Sequence, residues 1–357
     1  MRVNLLVLAM GTSVMGALVA GQVEPPSYAD RMTLLLYMDA SGREQAVRSP
    51  ADWQRRRAHI LASMQLVMGP LPDSSRKVPL DAETLGETTL PEVVRRKVAF
   101  AAEKGDRVPA WLFLPRDLKG RAPAVLCLHP TSPRGKDVVA GLTPKPNRSY
   151  ALELAQRGYV TLAPDYPRMG ENRADAYALG YASATMKGIW NHIRALDLLV
   201  ALPQVDPDRI GCIGHSLGGH NAMFLAVFDA RIKAVVSSCG FNAFAKYKGG
   251  DLAGWSHAGY MPRIASVYGK DPKQVPFDFT EVVAALAPRP FFVNAPLHDA
   301  NFEVSGVRDC IAAAQPVYEL LGARDALVAV YPDAGHDFPP EVREAAYRFL
   351  DKALVKP

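Results

Sequence analysis

From about Val93 onward, short apolar runs alternate with longer helical segments, and this alternation constrains the fold more than any other feature of the chain. The runs are Val93–Phe100, Ala110–Leu114, Pro123–Leu128, Tyr159–Ala163, Arg209–Ile213, Ile232–Ser237, Pro290–Asn294 and Ala326–Tyr331. Several, such as PAVLCL at 123–128, are apolar almost throughout, the pattern of a strand covered on both faces. Helical patterns occupy 149–157, 184–202, 217–228, 304–321 and 341–350. In 184–202, Trp190, Ile193, Leu196 and Leu199 share one face. Strands of this kind separated by helices predict an α/β fold, a mostly parallel sheet with helices on both faces. Such sheets bind ligands beyond the carboxyl ends of their strands, so the chemistry is sought just after each run.

Residues 240–288 break the alternation between the sixth and seventh strands. They are rich in Gly, aromatic and basic residues and predict a lid or cap insertion. Residues 22–90 read as an N-terminal helical arm. Its centre, Asp52–Met68, places Trp53, Ile60, Leu61, Met64, Val67 and Met68 at helical spacing and stops at Gly69-Pro70. Residues 1–21 combine Arg2, an apolar Leu5–Ala20 and the small pair Ala20-Gly21 ahead of polar, Pro-rich sequence, the order of a secretory signal peptide. An uncleaved anchor is the alternative, but the stretch is short of the ~20 residues a span needs. The expectation is therefore a secreted or periplasmic protein with no stable membrane anchor after cleavage. Its division is 1–21 signal peptide, 22–90 arm and 91–357 α/β domain with the insertion at about 240–288.

A chain that is 49% hydrophobic and 22% charged is not a disordered one. Its 41 Lys and Arg against 36 Asp and Glu give a net charge of +5, with no long run of one sign. Arg55-Arg56-Arg57 and Arg95-Arg96-Lys97 read as solvated faces, and a nucleic-acid partner is not expected. Cys127, Cys212, Cys239 and Cys310 are expected as small buried hydrophobes, with a Cys212–Cys239 disulfide as the alternative in an exported chain. No CxxC, HExxH or comparable ligand cluster occurs, so no metal and no cofactor are expected.

After the strand at 209–213 comes Gly214-His215-Ser216-Leu217-Gly218-Gly219, a G-x-S-x-G placed between strand and helix. A nucleophile held in so sharp a turn needs flanking residues without a Cβ, and Gly214 and Gly218 supply them. The turn lifts the Ser216 hydroxyl above the sheet edge and sets the Leu217 N–H at a helix N-terminus, where an oxyanion is favoured. A serine hydroxyl needs a base. His336, in the loop after the last strand, is the last histidine of the chain and fits the order Ser…Asp…His. His59 lies on the arm, His192 and His220 on helices, and His215 inside the turn; His257 lies in the insertion and is a candidate substrate contact. The imidazole needs a carboxylate. Asp299 follows the strand at 290–294 and is the first candidate. Glu303 is the reserve, Asp333 and Asp337 sit too close in sequence to His336 to fold back readily, and the position after the sixth strand carries Asn242 rather than an acid. The second oxyanion donor is expected after PAVLCL. Pro130 has no N–H, so Thr131 is the candidate, with His129 as a packing residue of that loop.

These stretches, with Ala163-Pro164-Asp165-Tyr166, Asp206–Gly219, Ala287-Pro288-Arg289-Pro290 and Asp333–Phe338, resemble the α/β-hydrolase superfamily over roughly residues 93–355. Within it they look like the branch of dienelactone-hydrolase-like, acetyl-xylan-esterase-like and prolyl-oligopeptidase-like domains. The resemblance implies an eight-stranded, mostly parallel sheet and a triad of Ser216, His336 and Asp299. It departs from dienelactone hydrolases proper in carrying Ser rather than Cys as nucleophile, and it has His129-Pro130 where His-Gly is commoner. The implied activity is that of a serine esterase on a small-molecule or polysaccharide ester, a deacetylated carbohydrate among the options. Trp255, Tyr260 and Tyr247 would either stack on a sugar or pack the insertion. The alternatives are a prolyl-oligopeptidase-type peptidase, for which the region ahead of the first strand leaves no room for a propeller, and a non-catalytic binding protein on the same scaffold, against which the complete triad argues. The substrate-binding residues and the oligomeric state do not follow from the sequence.

Overall fold

The computed structural model describes residues 24–355. In chain order they form a small antiparallel hairpin, β1 (Leu36–Met38) and β2 (Glu44–Ala46), then helix α1 (Pro50–Met68). Strands β3 (Glu83–Thr89), β4 (Val93–Glu103), β5 (Asp106–Pro115) and β6 (Ala122–Leu128) follow. Then come α2 (Tyr150–Gln156), β7 (Val160–Pro164), α3 (Ala184–Ala201), β8 (Val205–His215), α4 (Leu217–Phe228) and β9 (Ile232–Ser238). The chain ends with α5 (Arg263–Ser266), α6 (Phe279–Ala285), β10 (Phe291–Asn294), α7 (Val304–Leu320), β11 (Leu327–Val330) and α8 (Pro340–Leu354). The expected signal peptide lies outside the described residues. Among the described residues, no helix is long and apolar enough to cross a membrane.

One sheet carries the strands in the order β11-β10-β9-β8-β6-β7-β5-β4-β3. Pairs from β11 through to β7 are parallel, and those joining β7, β5, β4 and β3 are antiparallel. All eight expected strands are present, in an α/β-hydrolase arrangement. The sheet has nine strands rather than eight, because β3 adds an edge. Every residue of β3 is exposed, so it joins through backbone hydrogen bonds and leaves no apolar signal.

The near-continuous apolar runs have a simple cause. Ala124, Leu126 and Leu128 of β6 point into one core, and Val125 and Cys127 into the other. Phe291 and Val293 of β10 likewise face away from Phe292. One core is closed by α2 and α8, the other by α1, α3, α4, α6 and α7. Each strand thus buries successive side chains on opposite sides.

α1 starts at Ser49, whose hydroxyl accepts the Asp52 amide, with Pro50 in the first turn. Its Trp53, Ile60 and Met64 are buried in the same core as the sheet. Arg56 is only 1% exposed and is paired with Glu281 of α6. Its guanidinium also lies 3.4 Å from the centre of the Tyr28 ring. Arg57 donates to the carbonyls of Ala285 and Val227. The reading of Arg55-Arg56-Arg57 as a solvated face is therefore corrected: Arg55 is exposed, but Arg56 and Arg57 pin the arm to α6 and to the end of α4. All four cysteines are buried and free, so Cys212 and Cys239 are not paired.

Candidate active site

Ser216 sits where β8 gives way to α4, at φ 56° and ψ −119°, a positive-φ geometry that costs a non-glycine residue energy. Crowding explains the glycines. A Cβ at Gly214 would lie 2.1 Å from the Gly218 carbonyl oxygen, and one at Gly218 would lie 2.0 Å from that of Leu128. The turn is further fixed by the Ser216 amide donating to Ser238 at the end of β9, 2.8 Å away.

The loops after β10 and β11 continue side by side beyond their strands. The amides of Ala295, Leu297 and His298 donate to the carbonyls of Val330, Pro332 and Ala334. This extension carries Asp299 to His336. His336 Nδ1 lies 2.9 Å from both carboxylate oxygens of Asp299, and its Nε2 lies 3.0 Å from Ser216 Oγ. A carboxylate only accepts, so the proton sits on Nδ1 and Nε2 is free to accept from the serine. Burial by itself would raise the Asp299 carboxyl. The hydrogen bond and charge of His336, with the amides of Phe302 and Asn301, outweigh burial and hold it below the usual carboxylate range.

Several residues outside the expected set hold the histidine loop. Arg148, itself buried, donates to the Asp337 carboxylate and to the His336 carbonyl. Asn294 donates to the Asp337 carbonyl, 2.9 Å away, as does the Cys239 thiol at 3.2 Å. Asp337 thus anchors the loop without facing the imidazole. Asp333 pairs with His298 at the surface, and Glu303 accepts from Ser305 at the start of α7. His215 is buried, bonded to Ser238 Oγ and 4.9 Å from the His336 ring. Burial first, then the charges of Arg148 and His336, push its pKa far down, so it stays neutral.

A cavity of about 300 Å³ opens at Ser216. Thr131, Leu217 and His220 line it from the sheet side, and Tyr247, Trp255, His257 and Tyr260 of the insertion face them, with Asn301 and Phe302 completing the wall. Thr131 is tied to the insertion by its hydroxyl, 2.8 Å from that of Tyr260. His129 is a buried loop-former: Nδ1 donates to the Pro130 carbonyl and Nε2 accepts from the Tyr166 amide. The three aromatics both pack and line. Trp255 packs against Phe244, Phe279 and Phe302 and also borders the cavity. His220, placed by the sequence only on the helix after the turn, packs against Phe224 and also lines the cavity. Ser216 caps α4 rather than belonging to it, so helical spacing alone did not place His220 at the site. Among the described residues, Cys239, Asp299 and His336 form the group of metal-type donors, all within 4.8 Å. Two of the three already belong to the Ser216 relay, so an ion there would break the Asp299–His336 hydrogen bond.

Fold and site together define a hydrolase of the α/β-hydrolase superfamily. The chain belongs to the prolyl oligopeptidase family, whose model matches residues 147–356. It is 29% identical over 302 residues to the YtaP protein of Bacillus subtilis (strain 168), an alignment covering 81% of this chain and 96% of that protein. Its fold matches a glucuronoyl esterase from Solibacter usitatus with a TM-score of 0.72 at 21% identity, over 93% of this chain and 100% of that one. It also matches an acetyl xylan esterase from Paenibacillus sp. R4, with a TM-score of 0.58 at 19% identity, over 82% of this chain and 99% of that one.

Proposed function

We propose that the chain is a serine-dependent carboxylic ester hydrolase acting through Ser216, His336 and Asp299. The observation that carries this reading is the unbroken relay from Ser216 Oγ through His336 to Asp299, at 3.0 and 2.9 Å, opening into a preformed cavity. Ser216 attacks the ester carbonyl as His336 Nε2 takes its proton. The amides of Leu217 and Thr131, two residues of the cavity wall, are assigned to receive the developing oxyanion. His336 then passes its proton to the departing alcohol. A water deprotonated by His336 attacks the acyl-enzyme, and the acid leaves as Ser216 regains its proton.

The aromatic wall of the cavity and the esterase names of the two structural neighbours favour a carbohydrate-borne ester, an acetylated sugar among them. The apolar stretch at 5–20 favours export to the periplasm or beyond, and 22–90 and 91–357 are the proposed arm and hydrolase region. Family membership supports a second reading, a peptidase. An aminopeptidase would need a carboxylate to receive the substrate's ammonium group, and among the described residues none lines the cavity. Turnover of p-nitrophenyl acetate and acetylated xylo-oligosaccharides against aminoacyl-p-nitroanilides separates the two. The expected result is hydrolysis of the esters alone; turnover of the anilides alone would replace the ester reading with the peptidase one.

A further inference from the structure

His220 is 2% exposed yet borders the cavity at Ser216. Its Nδ1 lies 3.2 Å from the Gly240 carbonyl, which can only accept, so Nδ1 carries the ring proton. Burial pulls its pKa down to about 3, so the ring does not charge at working pH. Nε2 is then a bare acceptor, and among the described residues nothing donates to it. The ring cannot swing away to find a donor. Trp255 stands against it edge-on at 4.8 Å, and the Tyr260 ring is perpendicular to it at 5.5 Å. An accepting nitrogen on the cavity wall is a ready partner for a donor on a bound ligand. His257, at the insertion's side of the cavity, is complementary. Its Nδ1 accepts the Gly259 amide, so a neutral ring carries its proton on Nε2 and can donate. Among the described residues, the wall has no Asp, Glu, Lys or Arg.

A ligand that fits must therefore be uncharged, offer a flat or apolar face to Trp255 and Tyr260, and supply a hydroxyl hydrogen. We propose that His220 is a specificity-determining residue that accepts a hydrogen bond from a free hydroxyl on the sugar bearing the ester. This rests on the ester-hydrolase reading above. It selects polyhydroxylated substrates over simple alkyl esters, because a site with a dedicated polar partner rejects the analogue lacking its counterpart.

The test compares two acetate esters of a methyl xyloside. One keeps the hydroxyl beside the acetylated carbon, and the other is its deoxy analogue. For the wild-type enzyme, kcat/KM is expected to favour the hydroxylated ester by about tenfold or more. In His220→Phe the ratio should fall to about one, mainly through KM, and His220→Gln, whose side-chain carbonyl can accept, should recover part of it. A wild-type ratio near one would overturn the proposal, as would an unchanged ratio in His220→Phe. Should His220→Phe fail to fold, the wild-type ratio and the Gln variant decide. If folded wild-type enzyme hydrolyses neither these esters nor p-nitrophenyl acetate, it is the ester-hydrolase reading itself that fails. Turnover of p-nitrophenyl acetate without a hydroxyl preference removes only the role of His220.

Discussion

In the proposed mechanism Ser216, His336 and Asp299 divide the chemistry among three loops, and Asp299 fixes the imidazole tautomer rather than moving a proton. Asp299→Asn should leave the fold intact and lower kcat by about 10³–10⁴-fold, because the amide can donate to Nδ1 and so favour the wrong tautomer. A loss smaller than about tenfold would remove Asp299 from its role. Gly218→Ala tests the steric account of the turn. With its Cβ only 2.0 Å from a backbone carbonyl, it should destabilise by about 3 kcal/mol and reduce ester turnover, read by thermal melting and kcat. The three relay positions were legible because each carries a local signature: a glycine-flanked serine, a histidine after the last strand, and an acid after the strand before it. His220 was not singled out, because only the packing of the insertion against α4 decides whether that face is core or cavity wall. Arg148 and Asn294 gave no signal at all, since their partners are backbone carbonyls and a carboxylate distant in sequence.

At the level of elements, the arm and the insertion depend on each other through buried charge. Arg56 and Glu281 are both almost fully buried. Removing Arg56 leaves the buried Glu281 carboxylate with only Arg31, 3.9 Å away, as a cationic partner, so Arg56→Ala should cost about 3 kcal/mol, whereas Arg56→Met with Glu281→Leu should recover most of it. Equal destabilisation in the single and double variants would contradict this. Asp278 caps α6 and accepts the amides of Phe244 and Phe279. Burial outweighs those amides and pushes its carboxyl up to about 7. The folded chain thus holds a proton that the unfolded chain releases near pH ~3.9, so this group's contribution is fully present at low pH and is lost as pH rises to about 7. Asp278→Asn removes that dependence. Its melting temperature relative to wild type should improve from pH 5 to pH 8; a constant difference would refute the assignment. Helices and central strands were legible from periodicity. The edge strand β3 was not, because it is polar on both faces, and the docking of α1 was misread because three consecutive arginines look solvated until a buried acid is found opposite one of them.

The whole described molecule is organised by one large sheet with two cores; the carboxyl ends of β6, β8 and β10 feed one cavity, and the loop after β11 brings His336 to Ser216. The alternating strand pattern made this architecture readable. The insertion's shape was not, because its short helices are held by aromatic contacts rather than by periodicity. Four cysteines buried at 0–2% exposure should be silent to a thiol reagent in the native protein and give four equivalents once unfolded; fewer than four in the unfolded, unreduced chain would reveal a disulfide. The central claim is that Ser216 is the nucleophile and that His336 and Asp299 activate it. Its most direct test is active-site titration with a fluorophosphonate, followed by peptide mass spectrometry and a Ser216→Ala control. The expected result is one adduct per chain, on Ser216, with ester turnover lost in step with labelling and both abolished in the variant. Stoichiometric labelling at another residue, or turnover that survives in Ser216→Ala, would contradict it.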